Sequence, residues 1–474
     1  TGNILPVREK SMERRMEMKK SGIDMLHGPI WNKIPLFALP VAATAILGQL
    51  FNASDLAVVG NFAGEARTAA VAAVGANSSV VSLVVNLFTG VALGANVVIA
   101  GAIGREDTDA AQRAVHTALL FAVLGGFVIA LIGELAAEPL LRMMSVPDEV
   151  LPLALLYLRI YLIGMPVILL YNFEAAIFRS IGDTKVPLAT LAISGVINVI
   201  LNLFFVIVLG MTVDGVAIAT VISNAISAVI LFFRLKKAND YIRLDMSKLR
   251  INMRSLRHIL RIGLPAGVQS AVFSISNMVI QSAINSLGTT VMAASSAAWN
   301  MEVITFNILD SFSQACTTFV GQNYGAGQLE RCKKTLLLSL LEGYIVLGIA
   351  VALILHFGHP LLALFNNDPE VIALGYTRMR LVLLAHVFSL LYNTMSGYLR
   401  GFGISLTPAV LTMLGVCGIR ILWVNTVFAN VQTFHSVMMV YPISLAATAL
   451  MIFAALIYYK PSRRFAPKAA AENN

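Results

Sequence analysis

The sequence predicts an all-α membrane protein: twelve transmembrane helices in two six-helix bundles, related by a pseudo-twofold axis along the membrane normal. Three observations predict it. The 474 residues are 58% hydrophobic and 12% charged, about half the charge of an average soluble domain. Ile34 to Ser54, Ala69 to Gly104, Val186 to Val213, Ile262 to Met301 and Ile421 to Tyr459 contain no Asp, Glu, Lys or Arg. A span needs ~20 apolar residues to cross a ~30 Å hydrocarbon core. Finally, "LLYNFEAAIFRSIGDTKVP" at 169–187 is echoed by "LLYNTMSGYLRGFGISLTP" at 390–408, 221 residues later.

The elements follow in order. Residues 1–33 are polar, carry both charge signs and read as a cytoplasmic tail. No signal peptide is visible there, so the first span acts as its own insertion signal. The chain opens on Thr1, so either an upstream stretch precedes it or Met12 is the natural start. Spans are expected at 34–59, 70–100, 114–135, 150–180, 186–209 and 214–234, which form an N-lobe over 34–234. Within them, Pro40 frees a carbonyl and permits a bend in span 1, and Gly164 with Pro166 does the same in span 4. Gly90 and Gly94 read as close helix packing. A cytoplasmic linker at 235–258 holds many basic residues. Spans at 259–286, 292–320, 335–357, 371–400, 408–429 and 437–459 form a C-lobe over 259–459. A cytoplasmic tail covers 460–474.

Charge sets the orientation. With both termini inside, 28 of the 34 Lys and Arg residues fall on inner segments, and outer loops hold only Arg67 and Arg142. This is the positive-inside pattern. The net charge of +9 is therefore a topology signal, and no nucleic-acid partner is implied.

Smaller matches strengthen the repeat. "ALP" at 38–40 answers "GLP" at 263–265, Asn52 answers Asn277, and Arg159 answers Arg380. Six spans is an even number, so both halves enter the membrane in the same direction, as in parallel transporter repeats. Twin bundles would leave a midplane cleft that rocking opens to one face at a time. The chain has no G-x-x-x-x-G-K-[ST] and no H-E-x-x-H, so uphill transport would draw on an ion gradient or a partner. Cys316, Cys332 and Cys417 show no zinc spacing. They read as small packing residues plus one thiol in a polar loop.

Asp55, in "QLFNASDLAVVG", is the first candidate for coupling. A carboxylate at membrane depth persists only if paired, protonated or facing water. Such a group can trade H⁺ or Na⁺ against another ligand. Asn198 and Asn202 lie i, i+4 on one face of span 5. Their carbonyls suit a small hard cation, their N–H groups suit Asp55, and interhelical glue is the alternative. Thr220, in "GVAIATVISN", is a weaker candidate, because intramembrane Thr commonly bonds its own helix. Glu174, Glu302, Asp310, Glu342 and Arg420 also lie at depth and read by default as a substrate-cleft or C-lobe polar set. Arg420 needs an acidic partner, which Glu302 or Asp310 could supply.

Taken together, "QLFNASDLAVVGNFAG", "LLYNFEAAIFRSIGDTKVPL", "NVILN", "GVAIAT" and "FVGQNYGAG" make the chain resemble the multidrug and toxic-compound extrusion (MATE) transporters over residues 34–459. The resemblance is greatest to the branch typified by the DNA-damage-inducible F proteins. It implies two six-helix lobes around a V-shaped cleft and export of organic cations in exchange for H⁺ or Na⁺. It places the family's N-lobe cation site on Asp55, Asn198, Asn202 and Thr220, with Na⁺ at the first three as one form, and a span-1 bend on Pro40. The NorM-type branch has C-lobe acids on spans 7 and 10, where this chain has Phe273 and Ser389. The resemblance therefore implies no C-lobe Na⁺ site of that kind.

The expected protein is a secondary antiporter of the cell membrane, multi-pass and monomeric, with no cofactor and no catalysis. Its partners would be a small organic cation and the bilayer. Two rivals share some features. A flippase for a lipid-linked sugar would line its cleft with several basic residues, of which Arg420 is the main candidate. An intramembrane enzyme would need a nucleophile with its base or a metal cluster, and only His386 among the seven histidines looks deep.

Overall fold

The computed structural model describes residues 22–64, 67–144 and 146–464. The tail expectations for 1–21 and 465–474, and the start at Met12, lie outside these residues. Every regular element among the described residues is helical.

The first six expected spans correspond to α1 (Lys33–Phe62), α2 (Arg67–Gly104), α3 (Thr108–Met143), the pair α4 (Leu151–Ile163) and α5 (Met165–Ser180), α6 (Lys185–Leu203, extended by a π-helical stretch, Phe204–Val208) and α7 (Val213–Lys236). The next four are α8 (Met253–Asn285), α9 (Thr289–Gly325), α10 (Leu329–His356) and, after a short α11 (Gly358–Ala363), α12 (Pro369–Gly401). Span 11 is α13 (Leu406–Thr412), π-helical Met413–Gly418, α14 (Ile419–Trp423) and π-helical Val424–Phe428. Span 12 is α15 (Phe434–Met438) with α16 (Val440–Tyr459), and α17 (Pro461–Arg464) follows.

Ten of these helical stretches are long and apolar enough to cross a membrane, eleven when α4 and α5 count as one span bent by 51° at Gly164. The one expected span outside this set, span 8 (α9), is 37 residues long and carries Glu302, Asp310 and many Ser, Thr, Asn and Gln residues. Its polarity, rather than its length, sets it apart. Large apolar side chains such as Leu131, Leu135, Leu353 and Leu450 are exposed on helix faces, as a lipid-facing surface requires. Pro40 does not break α1, which runs as one helix through it.

The chain divides into two compact units. The first runs from Ala43 to Leu264, and the second joins Met25–Ala42 to the segment from Pro265. The boundaries thus fall inside α1 and α8, beside Pro40 and at Pro265. In the first unit, Val58, Tyr157, Leu158, Val213 and Val216 form one apolar core, and Ile103, Val115, Phe178, Leu231 and Ile242 form another. The linker is part of that second core and is docked on α3. Gln112 Nε2 donates to Asp240 O at 2.8 Å, and Thr117 Oγ1 accepts from Asn252 N at 3.0 Å. In the second unit, Cys332 is buried with Cys316, Tyr398 and Phe402. The expected thiol in a polar loop is therefore wrong: the apolar face of α10 reaches down to that residue.

The repeated motif has a common backbone form. Gly182 N donates to Arg179 O at 2.9 Å, and Asp183 N to Phe178 O at 3.1 Å. Gly403 N donates to Arg400 O at 2.8 Å, and Ile404 N to Leu399 O at 3.0 Å. Both glycines sit in the left-handed region, at φ +82° and +81°. These are two Schellman caps, in which glycine takes the left-handed turn at least steric cost. The same words therefore end α5 and α12 in the same way.

Candidate functional site

Asp55 lies one turn beyond Phe51 on α1. Gly195, Asn198 and Asn202 occupy successive turns of α6. A Cβ on Gly195 would stand 1.8 Å from Phe51 Cε2, so the missing side chain admits the ring and brings α1 against α6. That contact holds Asp55 opposite the two amides.

All four residues are buried, with Asn202 fully enclosed and Asp55 only 4% exposed. Asn202 Nδ2 donates to Asp55 Oδ1 at 2.5 Å and to Asn198 Oδ1 at 3.2 Å. Thr220 Oγ1, on α7, donates to Asp55 Oδ2 at 3.1 Å and accepts from Asn198 Nδ2 at 3.4 Å. Three helices thus close around one carboxylate. Tyr157 and Tyr161, stacked on α4 with ring centroids 6.1 Å apart, lie within its electrostatic reach. Asn202 Oδ1 is buried with no hydrogen-bond partner. An orphaned acceptor beside a carboxylate, with an amide and a hydroxyl oxygen near, is a hard-oxygen set suited to a proton or a small monovalent ion. Among the described residues no three His, Cys, Asp or Glu side chains gather as metal ligands. Thr220 could have bonded only its own helix; its hydroxyl instead reaches α1.

The other sequence candidates fall elsewhere. Glu174 on α5 is fully buried and neither carboxyl oxygen has a hydrogen-bond partner. Asp310 accepts from Gln314 Nε2 at 2.8 Å, one turn along α9. Glu302 meets Arg378, with Nε to Oε1 at 2.7 Å and Nη2 to Oε2 at 2.9 Å, both side chains nearly enclosed. The expected pairing of Arg420 with Glu302 or Asp310 is therefore corrected. Arg378, in the first third of α12, takes that role. Arg420 instead donates from Nη1 to Asn277 Oδ1 at 2.9 Å and from Nε to Ser444 Oγ at 3.4 Å. Arg159 is paired too, with Glu134 at 2.8 Å. His386 is buried, its Nδ1 3.0 Å from Thr305 Oγ1.

Sequence reasoning passed over Arg378 and Tyr441, whose spacing carries no motif. It also passed over the Phe51–Gly195 contact. An uncharged aromatic followed one turn later by an acid was the available signal for the latter.

The MatE family profile matches the chain twice, over residues 40–204 and 265–424. The chain belongs to the MatE family. The two MatE matches begin at Pro40 and at Pro265, and each covers most of one repeat. Among similar proteins, "Probable multidrug resistance protein YoeA" of Bacillus subtilis is 27% identical over 456 residues, 94% of this chain and 96% of that protein. "Probable multidrug resistance protein NorM" of Thermotoga maritima is 26% identical, over 81% of this chain and 82% of its own length. A solved structure described as the outward-facing conformation of a multidrug resistance MATE family transporter of the MOP superfamily superposes with a TM-score of 0.85. That match has 22% identity and covers 94% of this chain and 99% of that one. The MatE chain is thus a multi-pass, all-helical membrane protein with the fold of those transporters.

Proposed function

We propose that this protein is a cation-coupled exporter of multidrug type, which expels organic cations in exchange for H⁺ or Na⁺. The single observation that carries the reading is the enclosed Asp55 carboxylate, held by Asn202 and Thr220 in a segment otherwise free of charge. The names of the similar proteins support drug export.

Asp55 takes up the incoming cation. Its charge, once neutralised, no longer holds a cationic substrate in the first unit, and α1 repacks near Pro40 as that substrate leaves. Asn198, Asn202 and Thr220 hold the carboxylate while it is charged and offer their oxygens when an ion is bound. The protein works without a cofactor and without catalysis, as a monomer in the cell membrane with both termini cytoplasmic. Inward movement of each elementary charge supplies ~2.3 kcal/mol per 100 mV, enough to drive export uphill when coupled.

The flippase reading has less support. A flippase cleft would need several basic residues, yet of the buried arginines in the second unit Arg378 is taken up by Glu302 and Arg400 donates to Gln269, which leaves Arg420 as the main candidate.

The test is ethidium efflux from proteoliposomes, with pH and Na⁺ gradients imposed separately. Asp55→Asn is expected to lower the gradient-driven rate by at least about tenfold, near the cost of one lost charged hydrogen bond. Unchanged gradient dependence in that variant would refute the coupling role.

A further inference from the structure

The three spans that build the Asp55 site have repeat counterparts in spans 7, 11 and 12. The 221-residue offset sets Thr220 against Tyr441 and Ser223 against Ser444, and the Asn52–Asn277 match supplies span 7. Those counterparts converge on a side chain of opposite sign. Arg420 is 2% exposed. Asn277, Ser444 and Tyr441 surround it, and Tyr441 and Phe273 present their ring faces at 4.7 and 5.4 Å from the guanidinium carbon.

This guanidinium is under-served. Among the described residues it has no ion pair, and its Nη2 donates to no protein group. His386, Tyr392 and Cys417 lie within its electrostatic reach. Buried charges are ordinarily paired, and the second unit shows the ordinary solution at Arg378. There the Nε–Nη2 edge grips both oxygens of Glu302. In Arg420 the same edge has only the Ser444 hydroxyl, at 3.4 Å. Cation–π contacts offset part of the cost, but a planar fork with two parallel donors matches a carboxylate.

We propose that the Nε–Nη2 edge of Arg420 is a binding site for the anionic group of an amphiphilic organic anion, a carboxylate or sulfonate. The apolar body of that ligand would lie against Phe273. The second unit then holds the electrostatic inverse of the Asp55 site: one takes a positive charge, the other a negative one. Ser444 acts as a placeholder for the absent oxyanion, and Asn277 fixes the opposite edge of the fork. A substrate range that includes carboxylates or zwitterions follows from it.

The test needs no ion gradient, so its outcome is separate from that of the coupling proposal. In the full chain, Trp31→Phe and Trp299→Phe leave Trp423, one turn from Arg420, as the only tryptophan. The purified protein is titrated with benzoate, with benzyltrimethylammonium, and with chloride. Benzoate is expected to change Trp423 emission saturably, and benzyltrimethylammonium is not. Arg420→Gln should abolish the response, and Arg420→Lys should weaken it by about tenfold, since Lys lacks the fork. Ser444→Ala should tighten binding, because it frees the edge; a merely structural arginine would not respond that way. Absence of a saturable response, benzoate binding equal to wild type in Arg420→Lys, or weaker binding in Ser444→Ala would overturn the proposal. So would saturation by chloride that excludes benzoate, since the site would then hold an inorganic counter-ion only.

Discussion

Asp183 shows how one side chain can carry both order and strain. Its Oδ1 accepts from Val186 N at 3.1 Å and so caps the start of α6. Burial in that turn pushes its carboxyl above the usual value of 3.8, and the Val186 and Lys185 amides, Arg234 and Lys185 pull the other way. The sign follows from linkage. Between its unfolded value and its raised folded value, the folded chain binds the proton more tightly, so stability falls as pH rises through that window. Asn keeps the accepting oxygen and removes the charge. Asp183→Asn is expected to match or exceed the wild-type melting temperature at pH 7 and to lose that advantage near pH 3.5. Thermal melts of the two proteins across that range check it. The same scale shows what was readable beforehand. Asp55 stood out as the lone acid in an uncharged run, and the i, i+4 amides announced a shared face. Arg378 did not stand out, because its meeting with Glu302 depends on how α9 and α12 are rotated about their axes, and 76 residues separate the two.

At the scale of elements, the helix count and most helix limits were legible from apolar length and charge-free runs. Departures occur where local backbone changes form. Span 11 contains two π-helical stretches around Arg420, and span 4 bends by 51° at Gly164. Neither a shift from i+4 to i+5 bonding nor the size of a bend leaves a mark in periodicity. The junction of α1 and α6 was equally hidden, since a glycine in a membrane helix has many uses. It now supports a test. Gly195→Val places a side chain where the Phe51 ring lies and should force α1 away, an overpacking cost of ~1–3 kcal/mol. Gradient-dependent efflux is expected to drop by about tenfold or more. Phe51→Ala in the same chain should restore a large part of it, because the space is returned. Additive losses in the double variant would show that the two residues act separately.

For the whole molecule, two compact units were foreseen from the repeat, but their composition is not a simple cut at the linker. The second unit includes Met25–Ala42. Phe37 meets Phe319 edge-on at 6.0 Å, and Asn323 Nδ2 donates to Met25 O at 3.2 Å. Arg331 ties the same segment down, from Nη2 to Met25 O at 3.1 Å and from Nη1 to Gly28 O at 3.0 Å. Arg331→Ala removes charged donors worth ~1.5–3 kcal/mol each. It is expected to speed hydrogen exchange over residues 22–30 at least tenfold while leaving the Asp55 region unchanged. Equal exchange in the variant would mean the apolar contacts alone hold the segment.

That arrangement has a consequence for synthesis. Translation delivers Met25–Ala42 early, yet the side chains that receive it, Phe319, Asn323 and Arg331, are made some three hundred residues later. That early segment must therefore wait, its final partners not yet in existence. Nascent chains halted before α9 emerges would hold an N-terminal stretch open to proteases, and that vulnerability would close only when the last third of the protein arrives.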